Sequence, residues 1–361
     1  VRRGIQDLSS AKFLSEAATG RDNNLNLLRM LAAFGVLISH AHPLTLGPGA
    51  SAPLGQALLG KDLGDLCVDI FFAISGFLIS MSFARSDGLG AFWRARALRI
   101  WPGLFVALMV TAVAGAALTA SPPGAYGADA PVYVLRNLTL FSAQWKLSGM
   151  FEANPYPLVV NGSLWTLEYE VKCYLAATAL GLLGALRSRR RMGVALVAFA
   201  VWLLAVERLD PGMMTRLALP FGAGMALFVW RDRIRLSWTV GAGLAALALA
   251  FRLAPPLQPA FHEVLGVATA YWTVLIGYAP KTPLLAYNRL GDYSYGFYIY
   301  AFPVQQAVVS LGPAGMTPMQ NIWLAAPITL IFAVLSWTLV ERPALARAKR
   351  RAAPARGVRP R

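Results

Sequence analysis

Leu25-Asn-Leu-Leu-Arg29-Met-Leu-Ala-Ala-Phe-Gly-Val-Leu-Ile-Ser-His40-Ala-His-Pro-Leu-Thr-Leu46 is a 22-residue run with one full charge. A helix needs roughly 20 apolar residues to cross the hydrocarbon core of a bilayer, and this run reaches that length. The pattern recurs outward from it, and Gly193–Val206 and Val240–Phe251 carry no charge at all. Further spans are drawn at Leu66–Phe83, Ile100–Leu118, Trp165–Leu186, Met192–Val206, Leu217–Trp230, Trp238–Leu253, Phe261–Tyr278, Tyr293–Leu311 and Met319–Val340. Over the whole chain 57% of residues are hydrophobic and 14% charged, whereas a soluble domain has about half and a quarter. The expected fold is all-α, a polytopic transmembrane helical bundle of about ten spans.

The net charge is +16, and its distribution sets an orientation. With the N-terminus inside, 25 of the 33 lysines and arginines fall on inner segments and five on outer ones. Basic residues collect on cytoplasmic loops, so both termini are expected to be cytoplasmic. The same bias accounts for the basic composition without nucleic acid as a partner, since no basic face remains once the spans are drawn. Residues 1–24 read as a cytoplasmic arm rather than a signal peptide, 25–343 as the membrane domain, and 344–361 as a basic cytoplasmic tail. That tail is expected to be disordered after Pro343 and to lie on anionic membrane lipid. Cys67 and Cys173 give neither a disulfide framework nor a metal motif.

One outer segment, Thr119 to Leu164, is long and proline-rich. An interfacial amphipathic helix is expected within it at Tyr133–Gln144. Long loops among short ones are often functional.

Ionisable groups inside spans are costly and therefore functional candidates. They are Arg29, His40, Asp69, Glu168, Glu170 and Lys172. Arg29 and His40 are eleven residues apart, which on a helix returns to within about 20° of one face with a rise of about 16 Å. Arg29 then lies near the inner end and His40 toward the outer end, with Asp69 and Glu170 in the outer half. A carboxylate bonded to one imidazole nitrogen raises the basicity of the other, which would make His40 a general base. Either Glu170 or Asp69 could serve. Tyr174 shares a face with Glu170. At the inner start of the third span, Arg96 and Arg99 form R-x-x-R and face the same way; with Arg29 they could clamp phosphate, since guanidinium binds it bidentately. An acyl-CoA has the shape to span the two ends, its phosphates at the arginines and its thioester at His40. Three histidines make no metal-binding pattern. A proton-coupled transporter or flippase of a sugar or lipid-linked glycan would use the same groups as a proton relay.

The segments Asn24–Arg29 with Ile38-Ser-His40, Val68–Phe77, Phe92–Pro102, Gly162–Tyr174, Leu290–Tyr300 and Glu341-Arg-Pro343 occur in that order along nearly the whole chain. In this the chain resembles the type 3 integral-membrane acyltransferases, which O-acetylate bacterial surface sugars and other hydroxylated acceptors. The resemblance implies about ten helices in the bacterial cytoplasmic (inner) membrane. It implies acetyl-CoA as acyl donor without a metal, and a carbohydrate acceptor whose hydroxyl is acetylated on the outer side. It implies roles for Arg29, His40, Arg96, Arg99 and Glu170, with Trp165 and Tyr174 of the same motif against substrate. Many members carry a His after the tyrosine-rich motif of the ninth span; Ala301 stands there, so a mechanism with a second His is not expected. Nor is the outer hydrolase-like domain fused to some members.

Overall fold

Each apolar run has the means to begin and end a helix. The computed structural model describes residues 12–20, 22–206, 213–278 and 283–352, and its regular structure is helical throughout. The helices are α1 (Leu14–Ala17), α2 (Leu25–Leu46), α3 (Leu63–Arg85), α4 (Leu89–Gly115), α5 (Pro123–Thr139), α6 (Trp165–Leu182), α7 (Arg189–Val206), α8 (Met213–Val229), α9 (Trp238–Leu253), α10 (Phe261–Tyr278), α11 (Ser294–Leu311), α12 (Pro318–Ser336) and α13 (Arg342–Ala352). Every drawn span falls on one of them. Among the described residues five segments are long and apolar enough to cross a membrane: Leu25–Leu46, Leu63–Arg85, Leu89–Gly115, Pro255–Tyr278 and Pro318–Arg347. The others fall short for visible reasons. α9 has 16 residues, a length of about 24 Å at 1.5 Å per residue, while α6 carries Glu168, Glu170 and Lys172, and α7 opens on three arginines.

The differences from expectation have local causes. The third span starts at Leu89 rather than Ile100, because nothing in the Arg- and Ala-rich stretch before Ile100 opposes a helix. α6 stops at Leu182, short of Leu186, because Gly184 takes a left-handed conformation with φ 74°. The amphipathic helix of the long loop is displaced toward the N-terminus. It begins at Pro123 and ends before Leu140, whose φ is 62°; proline is favoured in a helix's first turn. The last apolar helix passes through a π-turn, Trp337–Glu341, into α13, so the chain is helical well beyond Pro343. This corrects the expected disorder: Ala, Lys and Arg are strong helix formers. Residues 1–11 of the expected arm and 353–361 of the expected tail lie outside the described residues.

The chain divides into two compact units. The first comprises Val1–Ser39, Ser51–Ala84 and Leu167–Gly291. Its tightest joint is α3 on α8, where a Cβ on Gly76 would stand 2.0 Å from the Phe221 carbonyl oxygen, and one on Gly224 would stand 2.2 Å from that of Ala73. Small residues allow this approach between membrane helices. The start of α2 is tied to the end of α10: the Asn24 N–H donates to Gly277 O at 2.8 Å and its amide to Ile276 O at 3.2 Å. The second unit comprises His40–Ala50, Arg85–Thr166 and Asp292–Arg361. Its α11 and α12 pack with the fully buried Gln305 and Asn321 joined across them; Gln305 Nε2 donates to Asn321 Oδ1 at 2.8 Å. Such bonds link helices where no water is available.

Candidate functional site

In the second unit, α11 organises the motif residues. Asn161 caps the turn that opens Gly162-Ser-Leu by accepting from the Ser163 N–H at 3.1 Å, and donates its amide to Ile299 O at 2.9 Å. Thr166 and Tyr298 share a hydroxyl contact at 2.8 Å. The long loop is latched by Gln306, which accepts from Asn154 at 2.7 Å and donates to Tyr156 O and Val159 O, both at 2.8 Å. Phe302 lies on α11 between Tyr298 and Gln306, the two residues that carry these bonds. The half-buried imidazole of His40 stands edge-on to it, with centroids 5.2 Å apart, and Tyr156 stands edge-on to the same ring at 6.3 Å. A Cβ on Gly162 would lie 2.5 Å from the Phe302 ring, so a larger residue there would have to displace that ring. Trp165 starts α6 beside this cluster in sequence and is half-buried.

The two arginines of R-x-x-R differ. Arg99 Nη2 donates to Asp292 Oδ2 at 2.8 Å, and its Nη1 lies 3.6 Å from Glu341 Oε2. Glu341 is 1% exposed and accepts from the Ser336 hydroxyl at 2.8 Å; Asp292 accepts from Ser294 at 2.7 Å. The guanidinium also lies 5.5 Å from the Tyr295 ring. A Cβ on Gly103 would stand 2.8 Å from Tyr295, which explains the bare backbone opposite. Arg96 is half-buried, with its guanidinium 5.9 Å from the Phe92 ring of its own helix. Three separate motifs, R-x-x-R, Gly-Asp-Tyr-Ser and Glu-Arg-Pro, thus meet at Arg99. Asp292 and Glu341 were not singled out from the sequence, although the motifs that carry them were.

In the first unit, Glu170 Oε1 accepts a short bond from the Tyr174 hydroxyl and another from Ser75 Oγ at 3.4 Å. Tyr174 is 3% exposed. Ser75 comes from the Val68–Phe77 motif, placed by the close packing of α3 on α8. Asp69 is 2% exposed and ion-paired to Lys61, itself 5% exposed. Lys61 was not singled out, because it lies just outside the drawn second span. Lys172 pairs with Glu168 one turn away. Arg29 is half-buried on α2. The structure therefore groups Glu170, Tyr174 and Ser75 in one unit, and His40 with Phe302 and Arg99 with its carboxylates in the other. Among the described residues, no group of three or more His, Cys, Asp or Glu is placed to hold a metal ion.

Comparison with known proteins gives a consistent picture. Residues 22–342 match the family model described as "Acyltransferase domain". "Nodulation protein 10" of Rhizobium leguminosarum bv. viciae is 29% identical over 92% of this chain and 95% of its own length. The "O-acetyl transferase" of Shigella phage Sf6 is 29% identical over 91% of this chain and 97% of its own. "Exopolysaccharide production protein ExoZ" of Rhizobium meliloti (strain 1021) is 30% identical over 80% of this chain and 92% of its own. No solved structure matches.

Proposed function

The chain belongs to the acyltransferase domain family, and from that premise we propose that it is a membrane O-acyltransferase that carries an acetyl group from cytoplasmic acetyl-CoA to a carbohydrate hydroxyl outside a bacterial cytoplasmic membrane. The observation that carries this reading is the family match over residues 22–342. Relatives named as an O-acetyl transferase and an exopolysaccharide production protein support the sugar acceptor. In this reading ten helices cross the bilayer and both termini are cytoplasmic, an orientation supported by the distribution of basic residues.

His40 takes the proton of the acceptor hydroxyl as that oxygen attacks the thioester carbonyl. The tetrahedral intermediate then collapses, the C–S bond breaks, and the departing CoA thiolate recovers the proton. Atoms balance without a metal or a covalent enzyme intermediate. The sequence expectation gives the imidazole a carboxylate partner. Glu170 and Asp69 both stand as candidates on the sequence reading; Asp69 is ion-paired to Lys61, and Glu170 accepts from the Tyr174 and Ser75 hydroxyls. Arg29, Arg96 and Arg99 are the phosphate ligands. Two carboxylates, Asp292 and Glu341, offset part of the charge of Arg99.

Purified protein in detergent, given acetyl-labelled acetyl-CoA and a surface-glycan extract, should transfer label to carbohydrate. His40→Ala should lower transfer at least about 100-fold while acetyl-CoA binding persists. Neither transfer nor acetyl-CoA turnover by the unaltered protein is the outcome a transporter would give, and it would overturn this reading.

A further inference from the structure

The first unit holds a partly open cavity of about 300 Å³ whose wall includes Asp69 but not His40, Glu170 or the three arginines. Lys61, Asp69, Thr215, Arg216, His262 and Glu263 line it, with Pro259 also on its wall. They come from three places far apart in sequence: the start of α3 with the turn before it, and the first turns of α8 and α10. The charge distribution independently assigns each of those helix ends to the outer side. Three segments given one side by loop charge therefore supply the wall of one cavity.

The chemistry of the wall restricts its ligand. Lys61 is committed to Asp69, and Arg216 lies 3.5 Å from Asp65. His262 Nε2 lies 2.9 Å from the Leu58 carbonyl oxygen. A carbonyl only accepts, so Nε2 carries the proton, and in the neutral ring Nδ1 is an acceptor. Glu263 Oε2 is shut off from solvent and has no hydrogen-bond partner among the described residues. A carboxylate in a helix's first turn is favourable in itself; an oxygen without accessible surface is out of a ligand's reach too, so a hydroxyl in the cavity donates to the side chain where it lines the wall. Among the described residues the wall offers acceptors and no unopposed positive charge. An anionic ligand would meet Glu263 without compensation; a neutral polyol would donate to it. The volume is at the lower end of ligand pockets, which run from about 300 to 1,000 Å³, and suits one sugar ring rather than an extended chain.

We propose that this cavity binds an uncharged, polyhydroxylated sugar residue of the acceptor, with Glu263 receiving a hydroxyl hydrogen bond. The proposal rests on the acyltransferase reading for the side of the membrane and for the carbohydrate class. Its test reads binding and transfer separately. Full-length protein in nanodiscs is titrated with methyl glucoside, methyl galactoside and methyl rhamnoside, and with glucuronate, by saturation-transfer NMR.

At least one neutral glycoside should bind saturably and more tightly than glucuronate. Glu263→Gln should weaken that binding tenfold or more, the loss expected of a hydrogen bond to a charged group, and Glu263→Asp should restore part of it. Acetyl-CoA binding should be unchanged in both. Pro259→Trp, a substitution on an exposed part of the wall, should block the cavity without disturbing the core. Equal glycoside binding by wild type, Glu263→Gln and Pro259→Trp overturns the proposal, as does a preference for glucuronate or no binding of any neutral glycoside. Should Glu263→Gln transfer acetyl with an unchanged acceptor KM, the cavity is refuted and the acyltransferase reading stands. Should glycoside binding depend on Glu263 in a protein that transfers no acetyl, the cavity stands and the acyltransferase reading falls.

Discussion

Arg96 and Arg99 are equivalent in the sequence, three residues apart at the start of one helix, and the structure separates them. Arg99 is flanked by Asp292 and the 1%-exposed Glu341. Removing its guanidinium would leave two carboxylates without their cation. Breaking a buried pair in this way costs about 3–5 kcal/mol. Arg99→Ala should therefore lower stability by roughly that amount, read as a large drop in thermal midpoint or a loss of monodisperse protein in detergent. Arg96→Ala removes a guanidinium that lies 5.9 Å from the Phe92 ring of its own helix. It should raise the KM for acetyl-CoA about tenfold, as expected for one lost charge-assisted hydrogen bond. An unchanged KM in Arg96→Ala would remove it from the phosphate site. The candidate site was legible at this scale where chemistry is rare: a histidine and an arginine inside an apolar run draw notice by residue type alone. Asp292 and Glu341 lie just outside the drawn spans, where charge is ordinary, so their residue type alone does not mark them as the pair that holds Arg99.

Among elements, the decisive contacts are made by residues with no side chain to read. Gly222 and Gly224 lie two apart on α8. A Cβ on Gly222 meets nothing within 4 Å, whereas one on Gly224 would press on the Ala73 carbonyl at 2.2 Å. Gly222→Ala should be neutral or stabilising by about 0.5–1 kcal/mol through the helix interior. Gly224→Ala should destabilise by about 1–3 kcal/mol or more, because backbone cannot give way as a side chain can. Thermal midpoints of the two variants check this. α5 offers a second test. Burial works to raise the Asp129 carboxyl, but the Ser148 N–H at 2.9 Å, the Ser148 hydroxyl at 2.8 Å and the Gln144 amide at 2.8 Å outweigh it and hold the group below the usual aspartate range. A depressed folded-state value means the unfolded chain binds more protons. The stabilisation is complete above the ordinary aspartate range and is lost as pH falls through the lowered value. The advantage of wild type over Asp129→Asn should be constant near neutrality and shrink in acid; growth toward low pH would have the opposite sign. That helix was expected ten residues too late. Pro122 and Pro123 look like loop, whereas a proline in the first turn of a helix costs no hydrogen bond that was not already missing.

For the whole molecule, positions of helices were legible and their membership in units was not. The ten drawn segments coincide with helices because lipid demands long apolar runs, and those can be read from one stretch at a time. The division into two units joins Ser51–Ala84 with Leu167–Gly291, and Arg85–Thr166 with Asp292–Arg361. It depends on pairings such as Gly76 with Phe221 and Arg99 with Asp292, which local patterns do not encode. The orientation in the membrane rests on the bias in basic residues and can be tested within each unit separately. Cys67 and Cys173 are buried, which leaves a low background for thiol labelling. In the second unit, Asp87 and Glu152 are both exposed, and the charge reading puts them on opposite sides. In the first unit, Gln56 and Arg233 form the corresponding outer and inner pair, both exposed. A membrane-impermeant maleimide applied to spheroplasts should label Gln56→Cys and Glu152→Cys, and should reach Asp87→Cys and Arg233→Cys only after the membrane is opened. Labelling of either inner position in sealed spheroplasts would reverse the orientation of its unit. A reversed first unit would put the Glu263 cavity in the cytoplasm, away from any surface sugar, while a reversed second unit would put Arg96 and Arg99 where no CoA is found.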